Sequence, residues 1–352
     1  MKKLIILVAA VMLSLTLTAC GGTTEKLYVL NWGDYMDLDL VEEFEDEFNV
    51  QVVYEEVGSN EEMEVKIKSG TTKYDIVIPS DYMVDKLRQQ DLLNEIDYSK
   101  LSNLDDVSFI SDATDLYANF EFASYMVPYF WGTLGIMYNT DTVNEEDLTG
   151  YDVLFDTNTS YKIGMYDSAR DSVGASLLYL GYDVNSNVTE ELNEAETALK
   201  NGVFEIFGED NLRGQVIEGN LDMALVYSGD YFDELYAFEE DEIEANFAYY
   251  VPETTNIWVD GFVIPTLSEN VDLAYEFINF FLSEEIAVAN ADWVGYAPVI
   301  QEAYDILVSD DYGYDYDNYD PFPSDTYRVV YEFVSNERFD KLNQILQASK
   351  AE

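Results

Sequence analysis

The sequence predicts an α/β protein built from two domains. Short apolar strands alternate with amphipathic helical segments along most of the chain, the pattern of a mainly parallel sheet with helices packed on it. Its 352 residues also exceed the roughly 250–300 that one hydrophobic core organises. At 48% hydrophobic and 15% aromatic residues, the composition is that of a packed protein despite a formal net charge of -54.

Leu27 to Trp32 reads as the first strand, and Asn31-Trp32-Gly33-Asp34-Tyr35 follows with loop character. Leu40, Phe44 and Phe48 then recur at four-residue spacing with Val41 beside them, one apolar stripe on a surface helix. Val50 to Tyr54 is a second strand. Ser59-Asn60-Glu61-Glu62 is a capping box opening a helix that carries Met63 and Ile67. Tyr74 to Ile78 is a strand closed by Pro79-Ser80, and a helix runs from about Tyr82 to Gln90. Beyond Phe130-Trp131-Gly132, Thr133 to Tyr138, Tyr161 to Tyr166 and Leu221 to Tyr227 are further strands. Glu190 to Lys200 is a helix stopped by Asn201-Gly202. Ala274, Phe277, Ile278 and Phe281 match the i, i+3, i+4, i+7 helical template. Asp310 to Asp325 is biased toward Asp and Tyr; Asp315-Tyr316-Asp317 starts like a calcium loop but lacks the glycine and closing glutamate, so a solvated loop is expected.

Residues 1–19 have the order of a secretory signal: Lys2 and Lys3, an apolar run from Leu4 to Leu13, then small and polar residues. Leu17-Thr18-Ala19-Cys20 resembles the lipobox of bacterial lipoproteins, which implies cleavage before Cys20 and a diacylglyceryl group on its thiol. Residues 20–26 would be the lipidated cysteine and its tether. The expected location is the outer face of the cytoplasmic membrane. Cys20 is the single cysteine, so no disulfide is expected.

With 71 Asp plus Glu against 17 Lys plus Arg, the chain repels nucleic acid and attracts cations. A generally acidic surface explains the charge equally well, so charge permits a cationic ligand without identifying it. Histidine is absent, which removes His-dependent nucleophilic sites and His-based zinc sites. General acid–base chemistry would have to come from carboxylates, Tyr or Lys. The commonest catalytic toolkits are therefore missing, although composition does not exclude an enzyme. No cofactor and no metal are expected.

In order, several segments are similar to the spermidine/putrescine-binding proteins of ABC transporters. They are Asn31 to Tyr35, Tyr54 to Lys68, Tyr74 to Val84 (YDIVIPSDYMV), Pro128 to Gly132 and Asp167-Ser168-Ala169-Arg170-Asp171. Tyr227-Ser228-Gly229, Trp258-Val259-Asp260 and Gly295-Tyr296-Ala297-Pro298 complete the series. The resemblance implies a periplasmic-binding-protein-like fold, two α/β lobes joined by a hinge with the ligand cleft between them. Residues 27–131 plus 262–304 would form lobe 1, and 132–261 plus 305–352 lobe 2. The implied protein is a monomer that binds a polyamine and delivers it to an ABC permease.

A polyamine needs carboxylates at the separations of its ammonium groups and aromatic faces along its methylenes. The motif positions supply Trp32, Tyr35, Tyr82, Tyr227, Trp258 and Tyr296 as walls and Asp34, Asp171 and Asp260 as anions. Ser80 would hydrogen-bond an amine or hold a neighbouring ring. Trp32 with Asp34, and Trp258 with Asp260, stand two residues apart, so in extended chain each pair would face one side.

The chain departs from its relatives at Ser168, where an acid is common, and at Tyr227, where a Trp is common. Asp34 and Asp171 stand where a Glu is common. The acid missing at Ser168 should weaken one ammonium contact, so putrescine is expected to bind at least as well as spermidine. The alternative is a same-fold protein for another small cation or an amino acid, whose carboxylate would need Arg170 unless Asp171 neutralises it. A two-carboxylate glycosidase has no supporting motif.

Overall fold

The computed structural model describes residues 25–351 apart from 116, 119, 241, 310, 311 and 313–325. The signal segment with Cys20, and nearly all of the Asp310–Asp325 stretch, lie outside the described residues.

A first sheet, order β2-β1-β3, is wholly parallel: β1 (Lys26–Trp32), β2 (Gln51–Val57) and β3 (Ile76–Val77). Helices α1 (Leu38–Phe48), α2 (Asn60–Ser69) and α3 (Asp81–Arg88) connect and cover its strands. The apolar stripe decides how α1 sits: Leu40, Val41 and Phe44 are buried, and Phe44 meets Phe277 edge-on at 5.0 Å. Ser59 caps α2 as the capping box requires, its Oγ accepting from the Glu62 N–H at 3.2 Å.

The second sheet has eight strands. They are β4 (Val127–Asn139), β5 (Ile163–Tyr166), β6 (Phe204–Gly208), β7 (Met223–Tyr227), β8 (Phe247–Tyr250), β9 (Thr254–Phe262), β10 (Ala297–Pro298) and β11 (Tyr327–Val330). Further helices follow along the chain: α4 (Ala169–Tyr179), α5 (Thr189–Asn201), α6 (Asn211–Ile217), α7 (Ser228–Glu240), α8 (Val271–Phe281), α9 (Glu284–Val294), α10 (Gln301–Leu307) and α11 (Asn336–Ser349).

This sheet is mixed, which corrects the mainly parallel expectation. β4 runs antiparallel to β7, β8, β9 and β10, while β5 is parallel to β6 and β7. Strand–helix alternation reports periodicity but not direction. β4 and β9 carry the chain along one line in opposite senses, so they must pair antiparallel. β4 is also longer than the Thr133–Tyr138 segment, because Pro128 is tolerated at its start, beside a register irregularity between Pro128 and Phe130. The β3 segment is shorter than Tyr74–Ile78: only Ile76 and Val77 pair in register with β1, although the flanking Asp75 and Ile78 N–H groups still donate to the Tyr28 and Leu30 carbonyls. Every residue of β4 is buried, and Phe130 lies opposite Asp260 in its pairing with β9.

Candidate ligand-binding cleft

One cleft of about 890 Å³ gathers every residue singled out above: Trp32, Asp34, Tyr35, Ser80, Tyr82, Ser168, Asp171, Tyr227, Trp258, Asp260 and Tyr296. Trp32, Asp34, Tyr35, Ser80, Ser168 and Tyr227 arrive from strand ends and the loops that follow, which is where α/β sheets present ligand groups. Tyr82 and Asp171 stand in the first turns of α3 and α4, and Trp258 and Asp260 within β9.

The first wall hangs from the end of β1. Asn31 is fully buried, and its Nδ2 donates to the Tyr54 hydroxyl at 2.8 Å and to the Tyr35 carbonyl at 3.4 Å, which pins the loop between. Asp34 then takes a left-handed φ of 49°, so the Trp32–Asp34 pair is not extended and its shared orientation comes from a turn instead. Asp34 remains exposed at the rim. Tyr35 is buried, edge-on to Tyr296 at 5.4 Å and to Tyr129 at 5.7 Å. Tyr129 in turn donates its hydroxyl to the Tyr35 carbonyl at 2.9 Å.

Trp258 and Asp260 do lie in an extended strand, β9, and both line the cleft as the two-residue spacing predicts. The Trp258 ring meets Tyr227 at 5.8 Å and Tyr296 at 5.6 Å, both edge-on. Two glycines make room for this aromatic wall. A Cβ at Gly132 would sit 2.6 Å from the Trp258 ring, and one at Gly229 would sit 2.3 Å from the Tyr296 ring.

The polar groups divide sharply. Asp171 is fully buried and already engaged: Arg170 Nε donates to Oδ1 at 3.0 Å, and the Tyr227 hydroxyl donates to Oδ2 at 2.8 Å. The guanidinium lies 4.6 Å from the Tyr82 ring and 5.2 Å from the Tyr331 ring. Ser168 caps α4, its Oγ accepting from the Asp171 N–H at 3.4 Å. Ser80 is held by Asn60, whose Nδ2 donates to Ser80 Oγ at 3.1 Å. Asp167 is gripped by Lys350 Nζ at 2.7 and 2.5 Å, so it does not stand in for the acid missing at Ser168.

Two buried carboxylates are different. Asp260 Oδ1 and Asp230 Oδ2 have no hydrogen-bond partner. Asp230 Oδ1 accepts from the Tyr296 hydroxyl at 2.9 Å and from Arg213 Nη1 at 3.3 Å. Desolvation raises both carboxyls to about 7; Asp210 pushes Asp230 further up against the pull of Arg213, while Ser80 lowers Asp260 and Asp81 raises it. Asp81 itself, behind the cleft wall, is raised by desolvation to about 6 and accepts from the Tyr117 hydroxyl at 2.7 Å. The indole N–H groups of Trp32 and Trp258 are buried without partners as well, while the Tyr35 hydroxyl makes no hydrogen bond of good geometry but lies close enough to Asp260 to lower its carboxyl. Such groups are costly unless a ligand or water meets them.

Asp230 was not singled out from the sequence. Its one signal is its place directly after Tyr227-Ser228-Gly229, and among 71 acidic residues that does not distinguish it. Tyr331 sits in no motif and reaches the cleft only because β11 pairs with β9. Among the described residues, no group of three or more His, Cys, Asp or Glu side chains is arranged to hold a metal ion.

The chain matches the family model described as bacterial extracellular solute-binding protein over residues 39–316. It is 30% identical over 295 residues to the spermidine/putrescine-binding periplasmic protein of Salmonella typhimurium, covering 82% of each chain. It is also 30% identical over 309 residues to the putrescine-binding periplasmic protein SpuD of Pseudomonas aeruginosa, covering 81% of this chain and 83% of the relative. The solved spermidine/putrescine ABC transporter substrate-binding protein PotD of Streptococcus pneumoniae superposes with a TM-score of 0.75 at 34% identity, covering 93% of this chain and 99% of that one.

Proposed function

The chain belongs to the bacterial extracellular solute-binding proteins, and on that premise we propose that it captures a polyamine and delivers it to an ABC importer. The observation that carries this reading is the pair Asp230 and Asp260: two buried carboxylates, each with one oxygen unpartnered, facing a cleft walled by Trp32, Tyr35, Trp258 and Tyr296. An ammonium group at each carboxylate restores the missing hydrogen bond and charge, and the rings cover the methylenes between.

Two buried carboxyls that each keep one unpartnered oxygen suit a diamine, Asp230 holding its other oxygen against Arg213. Asp171 is neutralised by Arg170 and Asp167 by Lys350, so among the described residues no third buried carboxyl in the cleft keeps an unpartnered oxygen. Putrescine therefore binds at least as well as spermidine. In this reading the ligand closes lobe 1 (residues 27–131 and 262–304) onto lobe 2 (132–261 and 305–352). Cys20 carries a lipid that holds the monomer outside the cytoplasmic membrane, where a permease receives the closed form.

The test is calorimetric titration of the chain that starts at Gly21 with putrescine, spermidine and an amino-acid mixture. One-to-one putrescine binding that survives added salt, and is lost in Asp260→Asn, supports the reading. A spermidine preference of about tenfold or more, roughly 1.4 kcal/mol, overturns the diamine assignment. The second reading, an amino acid held through its carboxylate, is favoured by one feature: Arg170 Nη1 is buried without a partner. Binding confined to the amino-acid arm would establish it.

A further inference from the structure

Outside the cleft lining, one cation is built into the seam where α3 meets the C-terminal segment. Lys86, on α3, is 3% exposed. Its Nζ lies 2.8 Å from Glu64 Oε2 and 3.7 Å from the centroid of the Phe339 ring on α11, with the Phe333 ring at 5.5 Å. One turn along α3, Gln89 Nε2 donates to the Phe333 carbonyl at 3.4 Å. Glu64 has further donors in Lys68 at 2.6 Å and Gln90 at 3.2 Å, so it is satisfied without Lys86.

An isolated buried ammonium is expensive. Lys86 tolerates burial because a carboxylate from its own side and two aromatic rings from the other enclose it. The rings belong to 305–352 and the amine to 27–131, so the enclosure exists only while the two lobes are together. Phe333 and Phe339 also border the ligand cleft, whereas Lys86 does not.

The geometry points to a closure latch: Phe339 and Phe333 grip Lys86 across the cleft edge, and this grip sets the balance between open and closed forms whatever ligand is bound. The latch rests on the lobe division proposed above. A cation held against a ring contributes about threefold to thirtyfold to such a balance, and apparent affinity follows the closed fraction. Its signature is a loss of affinity that is equal for every ligand.

The measurement is acetylation of Lys86 by a water-soluble N-hydroxysuccinimide ester, followed by mass spectrometry, beside titrations with putrescine and spermidine. Saturating putrescine slows Lys86 acetylation by about tenfold or more in the wild type, because closure removes the amine from water. Phe339→Leu restores acetylation and weakens both ligands by the same factor, about threefold to tenfold. Lys86→Met weakens both to the same extent, and the double variant loses no more than either single one.

Equal acetylation in all states, or losses that differ between the two ligands, overturns the latch; the latter places Phe339 against the ligand. Should the wild type bind no polyamine, the functional reading fails alone. The ligand-free chain then decides the latch: Phe339→Leu speeds Lys86 acetylation and enlarges the radius of gyration in small-angle scattering, and no change in either overturns it.

Discussion

Asp171 and Arg170 are chain neighbours whose charges cancel inside the cleft: Nε meets Oδ1 at 3.0 Å and Nη2 meets Oδ2 at 3.3 Å. The Arg170 side chain is only 14% exposed and that of Asp171 is 1% exposed. The pair therefore builds the floor on which Tyr82, Tyr227 and Tyr331 rest, and Asp171 is not a free anion awaiting an ammonium. Asp171→Asn leaves the guanidinium buried with its main partner gone, which costs about 3–5 kcal/mol of stability. The expected outcome in thermal unfolding is a large drop in Tm for the ligand-free protein. A pure affinity loss at unchanged Tm would instead make Asp171 a ligand group.

Asp230 and Asp260 behave in the opposite way, and pH exposes them. Burial raises both carboxyls to about 7 in the folded, ligand-free protein, against about 3.9 for an unfolded Asp. An ammonium ligand selects the ionised forms, so binding expels protons below pH 7 and putrescine affinity rises from pH 5 to pH 8. Titration in buffers of different ionisation enthalpy reads the released protons directly. A flat affinity between pH 5 and pH 8 would contradict the assignment.

The same shifts predict stability without ligand. A raised folded-state pKa favours the neutral carboxyl, so this contribution is complete below about pH 4 and is lost as pH rises through about 7. Asp260→Asn keeps the group neutral at every pH. The variant is therefore more stable than the wild type at pH 8 and no more stable at pH 4, while its putrescine binding is lost. Melting curves at the two pH values check this.

Gly229 carries a prediction about shape rather than charge. A Cβ there would press on the Tyr296 ring at 2.3 Å, and Tyr296 is the ring that also orients Asp230 through its hydroxyl. Gly229→Ala displaces the ring and with it both the wall and the carboxylate. Putrescine affinity falls by about tenfold or more, about 1.4 kcal/mol, although alanine has the better helix propensity. Circular dichroism separates this from simple unfolding.

The sequence by itself determined the α/β class, most helix and strand locations and the cluster of motif residues in the cleft. Local periodicity encodes the first two: the α1 stripe faces inward because its apolar side chains share one helical face, and Trp258 aligns with Asp260 because strands repeat every two residues. The motif residues follow from the resemblance to the polyamine-binding family. Tertiary structure alone decided strand direction in the second sheet, since periodicity is identical for a strand and its reverse. It also decided which acids keep an open oxygen. Asp171, Asp167, Asp230 and Asp260 look alike in the chain, yet Arg170 and Lys350 neutralise the first two, while each of the others keeps an unpartnered oxygen. A carboxylate's availability depends on what long-range packing brings beside it: Lys350 lies 183 residues from Asp167. Burial, which sets the proton affinity of Asp230 and Asp260, is likewise a property of the assembled cleft and of no residue within it.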